Sequence, residues 1–217
     1  MRRNTPPSRR ADCRGRIVPS LLVAASVAVV LSGGLATHYG SSWPRRIYWP
    51  RPPGIVLHHS ASPGFDHGKV IDASRIDQWH ESRGWGDEAL FGEYHIGYHY
   101  VVLADGTVQA GRPEWMIGAH CKGYNNHLGI CLLGNFSSKA NPGGRMQPAT
   151  PTPAQLKALG ALLRRLMKTY HLGPDDIRLH SDLGRTECPG DRLKMDAVLD
   201  SIGETPGETA PAEQTGE

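Results

Sequence analysis

The sequence predicts a single α/β domain in which a mixed central β-sheet is flanked by helices. Short apolar runs typical of buried strands are interspersed, without strict alternation, with longer segments that repeat apolar residues at helical spacing. The chain has 217 residues, which is enough for one ordinary domain and its appendages. With 39% hydrophobic and 21% charged residues, the composition excludes a fully disordered chain, a collagen-like chain and a polytopic membrane protein.

Five short segments are predicted to be strands, because they are rich in apolar residues and are bounded by proline, glycine or turn residues. The segment 128–133 is nearly all apolar and is therefore expected near the centre of the sheet. The sequence Ala-Asp-Gly-Thr at 104–107 supplies a hairpin turn between two of the others. In chain order the five segments are 54–58, 97–103, 108–111, 128–133 and 177–180.

Three helices are predicted between and after these strands. Residues 71–82 carry apolar side chains at helical spacing on one side. A second helix is expected to begin at Thr152, which forms a capping box with Gln155, and to end before Gly173. Residues 191–202 form the last helix of the prediction.

The first 36 residues have the layout of an export segment. Six arginines lie in residues 1–16, and the apolar run 17–31 that follows them leads to small residues. Gly34 and Ala36 fit the cleavage site of a signal peptide. The stretch 17–36 is also about as long as a helix that spans a bilayer, so a retained membrane anchor is the open alternative. In either case the domain is expected in the cell envelope, periplasmic or anchored to the inner membrane and facing outward.

Two further segments flank the predicted domain of residues 54–202. Residues 37–53 are rich in proline, arginine and tryptophan, which predicts an extended tether. Residues 203–217 are polar and acidic and contain proline and glycine, which predicts a disordered tail. The net charge of +3 is concentrated in the N-terminal arginines. No nucleic-acid-binding face follows from it, and no obligate protein partner is predicted.

Three residues have the donor atoms of a zinc site. His58 and His180 lie at the ends of predicted strands, where side chains from distant segments converge. Cys188 precedes Pro189 and Gly190, so a turn can direct its thiol back towards the strand ends. Two imidazoles and one thiolate fill three positions of a tetrahedral zinc ion and leave the fourth for water. That open position distinguishes a hydrolytic site from a structural one.

The other cysteines leave alternatives open. Cys13 precedes the apolar run, so Cys121, Cys131 and Cys188 remain in the part of the chain that is expected to be exported. If Cys188 binds a metal, Cys121 and Cys131 are either a bridged pair or two free thiols. Cys131 lies in an apolar strand and is expected to be a core residue.

Six ordered blocks carry a more specific signal. They are Ile-Val-Leu-His-His-Ser-Ala-Ser at 55–62, Ile-Gly-Tyr-His-Tyr at 96–100, Asp-Gly-Thr-Val with Gly-Arg at 105–112, Gly-Ala-His at 118–120, Leu-Gly-Ile with Gly-Asn-Phe at 128–136, and His-Ser-Asp-Leu-Gly-Arg-Thr-Glu-Cys-Pro-Gly at 180–190. In this order the chain resembles the zinc-dependent N-acetylmuramoyl-L-alanine amidases of type 2. That family includes phage lysozyme-like amidases and the peptidoglycan recognition proteins. The resemblance covers about residues 54–200.

The resemblance implies an enzyme that hydrolyses the amide between N-acetylmuramic acid and L-alanine in peptidoglycan and its muropeptides. The family's zinc ligands fall on His58, His180 and Cys188, in agreement with the donor trio. Its tyrosine falls on Tyr98, which is implied to orient the water or to hydrogen-bond the tetrahedral intermediate. Thr186 occupies a position that holds lysine or threonine in the family, and it is implied to stabilise the same oxyanion.

Two residues are expected to contact the substrate. His120 matches a family position on the floor of the groove. Asn125 is a further candidate because its side chain can bind peptide amides, although asparagine in turns more often caps the backbone. Residues 85–95 look longer than the family's usual link and are expected to shape one wall of the groove.

Two other functions remain open on the same fold. A non-catalytic peptidoglycan-binding module would be favoured by loss of the cysteine ligand, but Cys188 is present. A phage-type endolysin held by a releasable membrane anchor is permitted by the apolar run at 17–31.

Overall fold

The structure, a computed structural model, describes residues 51–89 and 92–203. The predicted export segment at 1–36, most of the tether at 37–53 and the tail from residue 204 lie outside the described residues. In the described part of the chain, none of the helices has the length and apolar character needed to span a bilayer.

Nine strands lie in the described residues, five of them in one sheet and four in two short hairpins. In chain order they are β1 (Ile55–His59), β2 (Phe65–Asp66), β3 (Lys69–Val70), β4 (Asp87–Ala89), β5 (Gly92–Tyr94), β6 (Tyr100–Val102), β7 (Val108–Ala110), β8 (Leu128–Leu132) and β9 (Ile177–Leu179). Each predicted strand is present, although only Tyr100–Val102 of the strand predicted at 97–103 are in strand conformation.

The five-stranded sheet is mixed, as the sequence predicts. Its strand order is β7-β6-β8-β1-β9, so that β8 lies in the middle. β7 runs antiparallel to β6, whereas β6, β8, β1 and β9 pair in parallel. Because four strands share one direction, their carboxyl ends meet at the same edge of the sheet. That edge carries the end of β1 and the residues that follow β9.

Four α-helices surround this sheet in the described residues: α1 (Ala73–Glu81), α2 (Pro153–Tyr170), α3 (His180–Leu183) and α4 (Met195–Gly203). A 3₁₀ turn at Pro174–Asp176 precedes β9. The predicted capping box between Thr152 and Gln155 opens α2, which is confirmed.

Two helices begin later than predicted, and in each case an aspartate before the helix accepts a hydrogen bond from a backbone amide. Asp72 stands outside α1 as its N-cap, and its carboxylate accepts a hydrogen bond from the Arg75 amide at 2.9 Å. Asp191 accepts from the amide of Ser138 in a distant loop at 2.7 Å, residues 191–193 form a turn and a bend, and α4 begins only at Met195.

The two faces of the sheet are covered by different helices. Ile55 and Leu57 of β1 belong to the larger hydrophobic cluster, which includes residues of α2 and α4. Cys131 of β8 belongs to the cluster that includes Ile76 of α1. Since side chains alternate along a strand, His58 lies on the α1 side of the sheet.

Glu114 connects the loop after β7 to α2. Its carboxylate accepts hydrogen bonds from the hydroxyls of Tyr100 and Tyr170, and it forms an ion pair with Arg165 at 3.0 Å. Burial alone would raise the pKa of Glu114, but these three donors hold that pKa below its ordinary value.

Glu114→Gln is expected to lower the free energy of unfolding at pH 7 by about 1–3 kcal/mol, because an amide cannot accept hydrogen bonds from all three donors. The folded-state pKa of Glu114 lies below the unfolded one. Its contribution is therefore present at neutral pH and is lost as the pH falls through the folded-state value. Urea unfolding of both proteins between pH 7 and pH 3 should show a difference that shrinks with acidity.

Glu81→Gln, at the exposed end of α1, is the matched control and should leave stability nearly unchanged. A stability difference for Glu114→Gln that stays constant across this pH range contradicts the electrostatic explanation.

Candidate active site

His58, His180 and Cys188 meet at the carboxyl edge of the sheet. His58 lies near the end of β1, and His180 follows β9 directly as the first residue of α3. The potential ligand atoms of the three residues all lie within 4.8 Å of one another. The Sγ of Cys188 is 3.5 Å from Nδ1 of His58, and the rings of His58 and His180 have centroids 4.5 Å apart.

The donor set fits a metal ion. Nδ1 of His180 is buried and has no hydrogen-bond partner among the described residues, which costs free energy unless a ligand occupies that direction. Burial lowers the pKa of His58 and of His180, so both rings are held in the neutral form that binds metals. Two imidazoles and a thiolate are ligands of a tetrahedral site with one open position.

Cys188 completes this set only when its proton is displaced. Burial raises the pKa of its thiol to about 12, so the thiol is protonated at neutral pH in the absence of a cation. A metal ion binds the thiolate, and binding therefore releases a proton.

The three donors open into a cavity of about 390 Å³. Tyr98, His120 and Thr186, which the sequence singles out, line the same cavity. A second depression of about 330 Å³ shares Ser60, Ala61 and Tyr98 with it and extends along α1. Together the two depressions form a groove that passes the donor trio.

Tyr98 stands beside His58 of the donor trio. Its ring centroid is 5.1 Å from that of His58 and 6.4 Å from that of His120. Burial raises the pKa of Tyr98 well above its ordinary value, so the side chain remains a neutral phenol and a hydrogen-bond donor at neutral pH.

Arg112 fixes the segment that carries Tyr98. Its amide donates to the carbonyl of Tyr98 at 2.9 Å, and its buried guanidinium donates to the carbonyls of Ile96 and Ile117 at 2.7 Å each. The Gly-Arg block of the sequence therefore has a structural role next to the site.

Thr186 supports the turn of Cys188. Its Oγ1 accepts a hydrogen bond from the amide of Cys188 at 3.1 Å. The hydroxyl hydrogen is not used by that contact, and Thr186 also lines the cavity. Its hydroxyl can therefore stabilise the turn and donate to a ligand at the same time.

His120 lines the cavity, but protein partners occupy both of its ring nitrogens. Nδ1 is 3.0 Å from Nε2 of His58, and Nε2 is 3.0 Å from the carbonyl oxygen of His127. Burial lowers the pKa of His120 to about 3, so the ring is neutral. A direct polar contact with substrate, which the sequence predicts, would have to break one of these hydrogen bonds.

Asn125 is not among the residues that line the cavity, and its contact with substrate stays a prediction. Its Oδ1 accepts hydrogen bonds from the amides of His120 at 2.8 Å and Cys121 at 2.9 Å. Asparagine oxygens readily satisfy amides of the turn in which they lie, and here that local interaction determines the orientation.

Three cysteines in the described residues are free. Cys121 and Cys131 are both buried and unbridged, so of the two alternatives the pair of free thiols is observed. Cys131 lies in the core, as predicted.

The sequence did not single out Trp85 and His80. Trp85 is 44% exposed and lines the cavity, and it begins the 85–95 segment that is expected to shape a groove wall. The ring of His80 lies 4.7 Å from that of Trp85 and 5.6 Å from that of Tyr98. Its Nδ1 accepts from the amide of Gly97 at 2.9 Å, which anchors it. A tryptophan between two glycines is the one local signal that marks this wall.

Comparisons with known proteins agree on one family. A family model described as N-acetylmuramoyl-L-alanine amidase matches residues 48–191, a range that contains all three donors. The endolysin of Enterobacteria phage T3 is 38% identical over 141 residues, which cover 64% of this chain and 82% of the endolysin. The N-acetylmuramoyl-L-alanine amidase of Homo sapiens is 32% identical over 173 residues, which cover 73% of this chain and 27% of that protein.

A solved structure supports the same grouping. The N-acetylmuramoyl-L-alanine amidase LysC from Clostridium intestinale URNW matches with a TM-score of 0.56 and 31% sequence identity. The match covers 71% of this chain and 87% of LysC.

Proposed function

The chain belongs to the N-acetylmuramoyl-L-alanine amidase family, and we propose that it hydrolyses the amide between N-acetylmuramic acid and L-alanine in peptidoglycan. In this proposal the reaction uses a zinc ion that is held by His58, His180 and Cys188. The observation that supports zinc is the convergence of these donors within 4.8 Å. Zinc is the metal that most often combines histidine and cysteine ligands with an open position.

When bound, zinc supplies a Lewis acid that polarises a carbonyl and lowers the pKa of bound water to about 7. The side chains of this chain supply the remainder of the chemistry. Tyr98, which stays protonated, donates a hydrogen bond to the oxygen that gains negative charge as the amide carbonyl is attacked. Thr186 donates to the same oxygen from the side of Cys188. Because both donors are already oriented by the fold, little reorganisation accompanies the reaction.

The groove binds the remainder of the substrate. Trp85 offers an exposed aromatic face at the cavity, suited to the apolar face of a sugar or to a methyl-bearing peptide. The depression along α1 continues the cavity past Tyr98. It can accommodate the part of the substrate that lies on one side of the scissile amide.

The non-catalytic alternative is not favoured, since the three donors are present and lie together. An endolysin-type role is supported by the identity of 38% to the T3 protein. Export also belongs to the proposal, because peptidoglycan lies outside the cytoplasm. The arginine-rich start and the apolar run at 17–31 support it, and cell fractionation distinguishes a cleaved signal from a releasable anchor.

Removal of the metal tests the function. The full-length protein should release stem peptides with a free L-alanine amino terminus from purified peptidoglycan, as detected by mass spectrometry. Treatment with a chelator should reduce this rate to background, and stoichiometric zinc should restore it while magnesium should not. If protein with a negligible measured zinc content hydrolyses peptidoglycan at the undiminished rate, the zinc mechanism is excluded. If hydrolysis occurs at another bond, the substrate assignment is excluded.

A further inference from the structure

We infer that His120 is a positioning residue that holds His58 in the tautomer whose Nδ1 lone pair faces Cys188 and His180. The role deepens the proposed function and rests on it, since a metal ion is what would use that lone pair. It replaces the direct substrate contact that the sequence predicts for His120.

The hydrogen-bond directions follow from the carbonyl of His127. A carbonyl oxygen only accepts, so Nε2 of His120, 3.0 Å away, carries the proton. The neutral His120 ring then has its lone pair on Nδ1. That atom is 3.0 Å from Nε2 of His58, which must therefore be the donor. His58 is left with an unprotonated Nδ1.

Nδ1 of His58 is the nitrogen that faces the other ligands. It lies 3.5 Å from Sγ of Cys188, whereas Nε2 of the same ring is directed to His120. A metal-binding histidine commonly donates its second N–H to a carbonyl or carboxylate, which sets its tautomer and orientation. Here a second histidine is interposed between the ligand and the carbonyl.

Two glycines leave the space that the ring of His120 occupies. A Cβ at Gly118 would lie 2.4 Å from Cδ2 of His120, and a Cβ at Gly129 would lie 2.5 Å from the same atom. Only a backbone without side chains leaves room for the imidazole there. Asn125 adds a hydrogen bond to the amide of His120 at 2.8 Å. The backbone of His120 is therefore anchored by Asn125, and its ring fits a space that depends on both glycines.

Three variants of the full-length, metal-free protein test this role. His120→Leu removes the acceptor and is expected to weaken zinc binding by about 10–100-fold. His120→Asn can place an amide oxygen near the position of Nδ1 and should restore most of the affinity. His127→Ala is the matched control and should bind zinc like the wild type, because only the main-chain carbonyl of His127 takes part. The zinc dissociation constants are measured by competition with a chromophoric chelator.

Nitrogen-15 NMR of the imidazoles gives a readout that needs neither metal nor activity. In the wild type His58 should be the Nε2–H tautomer, and in His120→Leu it should become a mixture. An Nδ1–H tautomer of His58 in the wild type overturns the inference, as does unchanged zinc affinity in His120→Leu. If His120→Leu loses zinc affinity and His120→Asn does not restore it, His120 acts through packing alone and the inference is also overturned. If the wild type binds no zinc, the proposed function fails, whereas the tautomer of His58 still decides the role of His120.

Discussion

Cys188→Ser is expected to reduce amidase activity to background. A serine hydroxyl does not ionise near neutral pH and is a poor zinc ligand, so the site is left with two imidazoles. The loss should exceed the roughly 10²–10³-fold effect of removing a single hydrogen-bond donor to the transition state, because the Lewis acid itself is lost. The rate of muropeptide cleavage, measured by mass spectrometry, and the zinc content after dialysis should fall together.

Cys121→Ser is the control for this experiment. Cys121 is a buried free thiol that does not line the cavity, and its replacement should leave zinc content and cleavage in place. Circular dichroism checks that both variants are folded. If the Cys188→Ser protein is folded and cleaves at the wild-type rate, the sulfur is not a ligand and the proposed site is wrong.

Tyr98→Phe is expected to lower kcat by about 10²–10³-fold while zinc affinity stays within a few-fold of the wild type. The substitution keeps the ring that lies 5.1 Å from His58 and removes only the hydroxyl. Because that hydroxyl remains protonated, it is a donor to developing negative charge, and such a contact acts in the transition state more than in the ground state. Steady-state kinetics with a soluble muropeptide separate kcat from KM.

Tyr124→Phe makes the same chemical change at a tyrosine outside the cavity and should leave kcat unchanged. An effect of Tyr98→Phe on KM alone would assign the hydroxyl to substrate binding. No effect on either constant would remove Tyr98 from the proposed mechanism.

The order of the strands explains why the convergence of His58 and His180 could be predicted from the sequence. His58 and His180 each end an apolar run, and the parallel pairing of β1 with β9 brings such ends to one edge. The exact end of β9 was not visible in the sequence. Leu179 closes the strand and His180 begins α3, so the ring of His180 is presented from a helix rather than from an extended strand.

Asn125 and His120 show that the sequence does not determine which partners a polar side chain meets. Both residue types suit peptide recognition, and both occur in a loop near the site. Their polar atoms are nevertheless used by the protein, Asn125 by two amides and His120 by His58 and a carbonyl. A hydrogen-bonding side chain in a sequence has many potential partners, and only the folded chain determines which of them it meets.

The sequence by itself determined the mixed α/β class and the capped helix that begins after Thr152, and it singled out the three residues that the structure brings together as a potential metal site. These features depend on local periodicity, local capping and residue chemistry, which act over a few neighbouring residues. The tertiary structure alone decided that Cys121 and Cys131 stay unbridged, that Trp85 forms a wall of the cavity and that His120 contacts His58. Those outcomes depend on the distances between segments that are remote in the chain, and such distances arise only when the sheet and its helices have packed.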